Sequence, residues 1–212
     1  MDIWLLRHGS TEANVEGRFQ GQLDYPLSEA GRREAKLLAR RVSSAGLELL
    51  FSSDLQRAWE TAQYIAAATG LKPIITPLLR ECSWGVAEGL TVAELKSYCR
   101  PVPASGRFRI RAGQWGGESE RKLLARARLF LKRTLEGYSG YDRVAVVSHA
   151  RFINALLAAA LGLKAWQHWP FAPAPASLSI ISHKASPGRF RLELFNDRCH
   201  LLGGSDLGSS QS

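Results

Sequence analysis

Two short apolar runs, Ile3-Trp4-Leu5-Leu6 and Val144-Ala145-Val146-Val147, each lead through one residue to a histidine, His8 and His149. Runs this short and this continuous read as strands buried on both faces of a sheet. Helical stretches alternate with them. In residues 28–45, Ala35, Leu38, Val42 and Ala45 share a face, with Ser28 as N-cap and Gly46 just past the end. Ser53 and Gln56 have capping-box spacing, which predicts a helix over 54–69 that stops at Gly70. Residues 118–136 and 152–161 read as further helices, and 47–51 and 73–77 as further strands. Segments 178–182 and 190–195 flank Ser186-Pro187-Gly188 and read as a hairpin. This alternation predicts an α/β fold. We expect a three-layer α/β/α sandwich with a mainly parallel central sheet and one antiparallel C-terminal strand or hairpin. Residues 82–117 are rich in Gly, Pro and Trp and poorly periodic, and are expected to form a small cap over the strand ends. Residues 1–202 are expected to be a single domain, and the Gly/Ser-rich 203–212 a flexible tail.

Composition narrows the function classes. A chain of 212 residues can bury a full core without staples. No window reaches the ~18 apolar residues of a membrane span, and the start Met1-Asp2-Ile3-Trp4 has no basic leader. Cys82, Cys99 and Cys199 are isolated, which argues against a disulfide framework and a cysteine zinc site. A cytoplasmic location is the resulting expectation. The formal net charge is +9, yet no run of five like charges occurs, and no nucleic-acid module is evident. The expectation is a small anionic substrate, not nucleic acid or membrane. An edge strand, or the segment 160–175 with Trp166, Trp169 and Phe171, is the candidate surface for pairing subunits in a homodimer.

In open α/β sheets chemistry gathers at the carboxyl ends of the strands, where His8 and His149 fall. Histidine supplies an unprotonated nitrogen nucleophile near neutral pH. Arginine supplies permanent charge and a planar fork that matches phosphate oxygens. His8 is therefore the candidate nucleophile, Arg7 and Arg57 the candidate phosphate clamps, and His149 a second donor, either cationic or correctly tautomerised. Arg57 falls in the first turn of its helix, whose amino end already favours an anion. Glu81 is the candidate proton donor for a leaving alkoxide, a role contributing roughly 10²–10⁴ in rate; Glu88 is its rival. Asn14 either caps a turn or lines the phosphate pocket. Arg100, Arg107, Arg109 and Arg111 read as a solvated face with substrate contact as the rival. Trp84 and Trp115 read as packing residues, with lining of the leaving-group pocket as the rival, and His200 as structural.

Leu6-Arg7-His8-Gly9-Ser10-Thr11-Glu12-Ala13-Asn14 resembles the opening motif of the histidine phosphatase superfamily, the phosphoglycerate-mutase-like proteins. The resemblance continues in family order. It takes in Gly21, Asp24 and Pro26-Leu27-Ser28, then Ser52 through Ala58 with Thr61-Ala62. Glu81, Gly85 and Glu88-Gly89 follow, then Gly117-Glu118-Ser119 and Val147-Ser148-His149. It implies phosphorylation of His8, hydrolysis of the phosphohistidine by water, and Glu81 as acid and then base. It implies phosphate contacts from Arg7, Arg57 and His149, with Asn14, Gln20 and Gly21 lining the pocket, and no metal or cofactor. One departure stands out: the family usually has Gly where this chain has Ala150, so Ala150 must present its N–H with φ < 0. The short stretch between Glu81 and His149 favours a phosphatase over a phosphoglycerate mutase-type transfer. Similarity over Glu81 to Gly89 and the Asn196-Asp197 to His200-Leu201 tail leans towards the α-ribazole phosphatase-like branch. A non-catalytic module that binds phosphorylated ligands is the rival from another class.

Overall fold

The computed structural model describes residues 1–97, 111–163, 170–184 and 189–202. In chain order the elements are β1 (Asp2–Arg7), α1 (Glu12–Val15), α2 (Glu29–Val42), β2 (Leu49–Ser52), α3 (Gln56–Thr69) and β3 (Pro73–Ile75). There follow α4 (Val92–Ser97), α5 (Glu120–Gly137), β4 (Arg143–Ser148), α6 (Ala150–Ala160), β5 (Leu178–Lys184) and β6 (Arg189–Asp197). One sheet holds the strands in the order β3-β2-β4-β1-β5-β6. The first four are parallel, and β5 and β6 continue the sheet as an antiparallel pair. The expected architecture is therefore present. The hairpin turn at 186–188, the tail 203–212, Arg100, Arg107, Arg109, Cys99, Trp166 and Trp169 lie outside the described residues.

Side-chain alternation along the strands makes the layers. Ile3, Leu5, Val144 and Val146 face a core shared with Leu123, Ala127 and Phe130 of α5 and Phe152 and Leu156 of α6. Leu6, Ala145 and Val147 face the opposite core, with Leu38 and Val42 of α2 and Ala58, Ala62 and Ile65 of α3. Buried runs on both faces are what a parallel sheet under two helical layers requires. The described part of the 82–117 segment joins the α5–α6 side, with Trp84, Ala87, Leu95 and Ala112 buried in that core.

Helix boundaries depart from the local reading. Helix α2 stops at Val42, short of 45, and the Ser43 hydroxyl bonds the Arg40 carbonyl at 2.9 Å. A serine competing for helix carbonyls in this way favours an end. The Ser53–Gln56 capping box does not form. Ser53 Oγ instead accepts the Leu55 N–H at 3.3 Å, and the Gln56 N–H goes to Asp24 Oδ1 at 2.6 Å. Helix α3 therefore begins two residues later than 54. Helix α6 begins earlier than 152, at Ala150, because a distant carboxylate caps it. The segment after β3 is a 3-10 turn, Pro77–Leu79, started by its proline.

The loop after β1 packs against the first turn of α2 at backbone contact. A Cβ on Gly9 would overlap the Gly31 carbonyl oxygen, and one on Gly31 would overlap the Ser10 carbonyl oxygen. Ser28, the N-cap of α2, donates both its N–H and its hydroxyl to that Ser10 carbonyl. Gly31→Ala should therefore lower unfolding stability in urea by about 1–3 kcal/mol, the range for overpacking. Gly137→Ala, in a helix with open space around it, should be neutral or stabilise by up to about 1 kcal/mol.

Candidate active site

His8 leaves β1 at the sheet's carboxyl end, and its N–H bonds the Ser148 carbonyl at 3.0 Å. That ladder bond sets His8 beside His149, with ring centroids 5.0 Å apart. His8 Nδ1 lies 2.7 Å from the Gly9 carbonyl oxygen. A carbonyl only accepts, so Nδ1 carries the hydrogen and Nε2 keeps its lone pair. Burial, with Arg57 and Arg7 nearby, pushes the His8 pKa well below its ordinary value. The ring is thus neutral and nucleophilic at physiological pH. His149 is fully buried, and its pKa is lowered by burial, Arg57 and His8. Neither ring nitrogen of His149 has a hydrogen-bond partner. Of the two forms expected for it, burial favours the neutral ring.

Two arginines are held beside the histidines by backbone carbonyls. Arg57, 1% exposed, donates to Gly21 O and Leu23 O, both at 2.8 Å. Arg7 donates to Pro173 O at 2.8 Å. Burial pushes Arg7 down to about 10 and lowers Arg57 as well; both remain charged at neutral pH. The Nε of each is buried without a partner. Guanidinium groups fixed in this way beside a cleft suit an anion.

Glu81 faces this group and caps α6. Its Oε1 accepts N–H groups from Cys82 at 2.8 Å and Phe152 at 3.2 Å, while Oε2 accepts a longer one from Arg151 at 3.3 Å. Oε2 is the less engaged oxygen, so it is the one suited to exchange a proton. The rival Glu88 is committed elsewhere: its Oε1 accepts from the Gln22 and Trp84 N–H groups and the Ser83 hydroxyl. It ties the Gly21 loop to the Glu81 loop and lies against Gly21, where no Cβ would fit and φ is +53°.

Arg7, His8, Asn14, Gln20, Gly21, Arg57, Glu81 and Ala150 line one cleft of about 170 Å³. His149, in ring contact with His8, is buried and is not among the residues lining this cleft. Asn14 caps its turn and also lines the cleft. Its Oδ1 closes a capping box with Thr11, at 3.1 Å from both the N–H and the hydroxyl, which leaves its NH₂ for the cleft. Ala150 opens α6 in a helical conformation, and among the described residues only Ala176 and Asn196 are non-glycines with positive φ. The change from Gly is thus accommodated. Arg111 is exposed and does not line the cleft. Trp84 is both packed and cleft-lining, against Phe19 at 4.5 Å and under the Arg151 guanidinium at 4.3 Å. Arg18, Phe19 and Arg151 also line the cleft and were not singled out from sequence. Their only signal was adjacency to Gln20 and Ala150.

The model of the histidine phosphatase superfamily (branch 1) matches residues 3–198. A probable phosphoglycerate mutase of Yersinia enterocolitica is 34% identical over 209 residues, 95% of each chain. Among solved structures, mycobacterial glucosyl-3-phosphoglycerate phosphatase aligns with a TM-score of 0.81 at 31% identity, covering 93% of this chain and 99% of that one. A putative α-ribazole-5′-phosphate phosphatase from Escherichia coli K-12 aligns with a TM-score of 0.79 at 26% identity, covering 93% and 97%.

The depressed histidines should be visible in stability. Below the ordinary value of 6.5 the unfolded chain binds protons that the folded chain refuses, so stability falls as pH drops from 7 towards 5. Each histidine contributes a slope of up to about 1.4 kcal/mol per pH unit. Urea unfolding of His8→Asn and His149→Asn should each show a shallower slope over this window. Slopes equal to the parent's would mean that both rings charge freely in the fold.

Proposed function

The chain belongs to the histidine phosphatase superfamily, and from its cleft we propose that it hydrolyses small phosphomonoesters through a phosphohistidine on His8. The carrying observation is the His8 ring: Nδ1 bonded to Gly9, Nε2 unprotonated, and Arg7 and Arg57 beside it. Nε2 attacks phosphorus as the ester P–O bond breaks. Glu81 delivers its proton to the departing oxygen, giving the free alcohol. Water then attacks phosphorus, Glu81 takes the water proton, the P–N bond breaks and phosphate leaves. Arg7, Arg57, the NH₂ of Asn14 and an N–H of His149 hold the equatorial oxygens, where one lost donor typically costs ~10²–10³ in rate. These fixed charges let the reading dispense with a metal ion. Activity is expected to persist in a chelator.

The leaving group lies on the Glu81 side, where Phe19, Trp84 and Arg151 form a stacked wall. That wall suits a compact leaving group bearing an anion. A phosphoglycerate mutase-type transfer is the second reading, favoured by the name of the Yersinia relative. A mutase must keep water from the phosphohistidine, so release of inorganic phosphate separates the two.

Acid-labile phosphoprotein should be trapped during turnover, and His8→Ala should lower turnover by at least about 10³-fold. Equal rates for parent and variant would remove His8 from the mechanism. Phosphate binding without turnover by either would mark a binding module. Ala150→Gly should change kcat/KM by less than about 10-fold; a gain on the order of 10², the size of one lost donor, would mean the natural site is impaired. Arg151→Ala should raise KM for esters with an anionic leaving group about 10-fold and leave KM for neutral alkyl esters nearly unchanged.

A further inference from the structure

Gly117-Glu118-Ser119 takes no part in the phosphoryl chemistry above, yet Glu118 grips an arginine that reaches the acid. We propose that Arg126, fixed by Glu118, is a positioning residue that sets Glu81 against the first turn of α6. This rests on the acid–base reading of Glu81. Glu81 sits in a segment that belongs to no strand, so its buried carbonyls need donors from elsewhere. One guanidinium supplies three of them. Arg126 Nη1 donates to Leu78 O at 2.8 Å and Arg80 O at 2.6 Å, and Nη2 to Glu81 O at 3.3 Å. The same group makes a two-pronged ion pair with Glu118, at 3.0 Å and 2.6 Å. Its other face lies 4.8 Å from the ring of Phe152, the residue whose N–H holds Glu81 Oε1.

Arg126 therefore touches both ends of the contact that places the carboxyl: the Glu81 backbone and the α6 first turn. Only a planar fork with five donors serves three carbonyls and a carboxylate together; lysine cannot. The loop keeps other anchors, Ser148 Oγ to Leu79 O at 2.7 Å and Gln22 Nε2 to Glu81 O at 3.2 Å. Losing Arg126 should then displace Glu81 rather than release the loop. A displacement of about 1 Å can cost 10²-fold.

The test compares kcat/KM on propyl phosphate, whose leaving group needs a proton, and on 4-nitrophenyl phosphate, whose leaving group does not. Glu81→Gln should cost on the order of 10²–10⁴ on propyl phosphate and less than about 10-fold on 4-nitrophenyl phosphate. Arg126→Lys, and the milder Glu118→Gln, should cost roughly 10–10² on the first and within about 3-fold on the second. In a Glu81→Gln background, Arg126→Lys should add less than about 3-fold, since it acts through the missing group. Equal losses on both substrates, or full additivity, would overturn the proposal and leave Glu81 as the acid. If Glu81→Gln itself treats both substrates alike, the acid–base reading fails, and the proposal falls with it.

Discussion

The pairing of β1 with β4 governs everything at the site. In-register parallel contact carries Arg7 opposite Ser148, and the next bond, His8 N–H to Ser148 O, places the two histidines at adjacent strand ends. A shift of one residue would turn each histidine to the other face of the sheet. The register is in turn enforced by burial, because Ile3, Leu5 and Leu6 are committed to two separate cores. On the other side of β1 a loop closes over the same strand end. Ala176 donates to His8 O, Ser177 accepts from the Arg7 N–H, and Pro173 O takes the Arg7 side chain. Ala176 does this at φ +52°, a conformation that costs a non-glycine residue about 1–2 kcal/mol. Asn196 Oδ1 and His200 Nε2 bond the backbone of this loop at Ala174 and Ala176, which gives His200 the structural part read for it.

Concentrating charge here is unfavourable for folding. Arg7, Arg57, His8 and His149 are buried together; the two arginines lower the proton affinity of both histidines, and His8 lowers that of His149. Backbone carbonyls of Pro173, Gly21 and Leu23 offset part of the cost of desolvating the arginines. What remains is positive charge concentrated beside the cleft, which a bound anion would offset.

The Glu81 loop shows the same economy of parts. Glu81 is at once the group facing His8 and the cap of α6, and Asp24 caps α3, the helix that carries Arg57. Helix starts and site geometry are therefore one set of contacts. A change that loosens either cap also moves a residue of the cleft.

Much of this was legible along the chain. Apolar runs and helical periodicity are local signals, so they specified six strands, the main helices and the antiparallel end of the sheet. The ordered motifs name Arg7, His8, Asn14, Gln20, Gly21, Arg57 and Glu81, and all of these line one cleft together with Ala150. What stayed hidden depends on partners far apart in sequence. The α3 and α6 boundaries were misplaced because their caps, Asp24 and Glu81, come from distant loops. Arg151 and Phe19 went unmarked because only tertiary packing stacks them on Trp84. The tautomer of His8, the depressed histidines and the grip of Arg126 on Glu81 follow from burial and close approach. Sequence determined which groups the site contains; the packing of the fold decided their distances, protonation and neighbours.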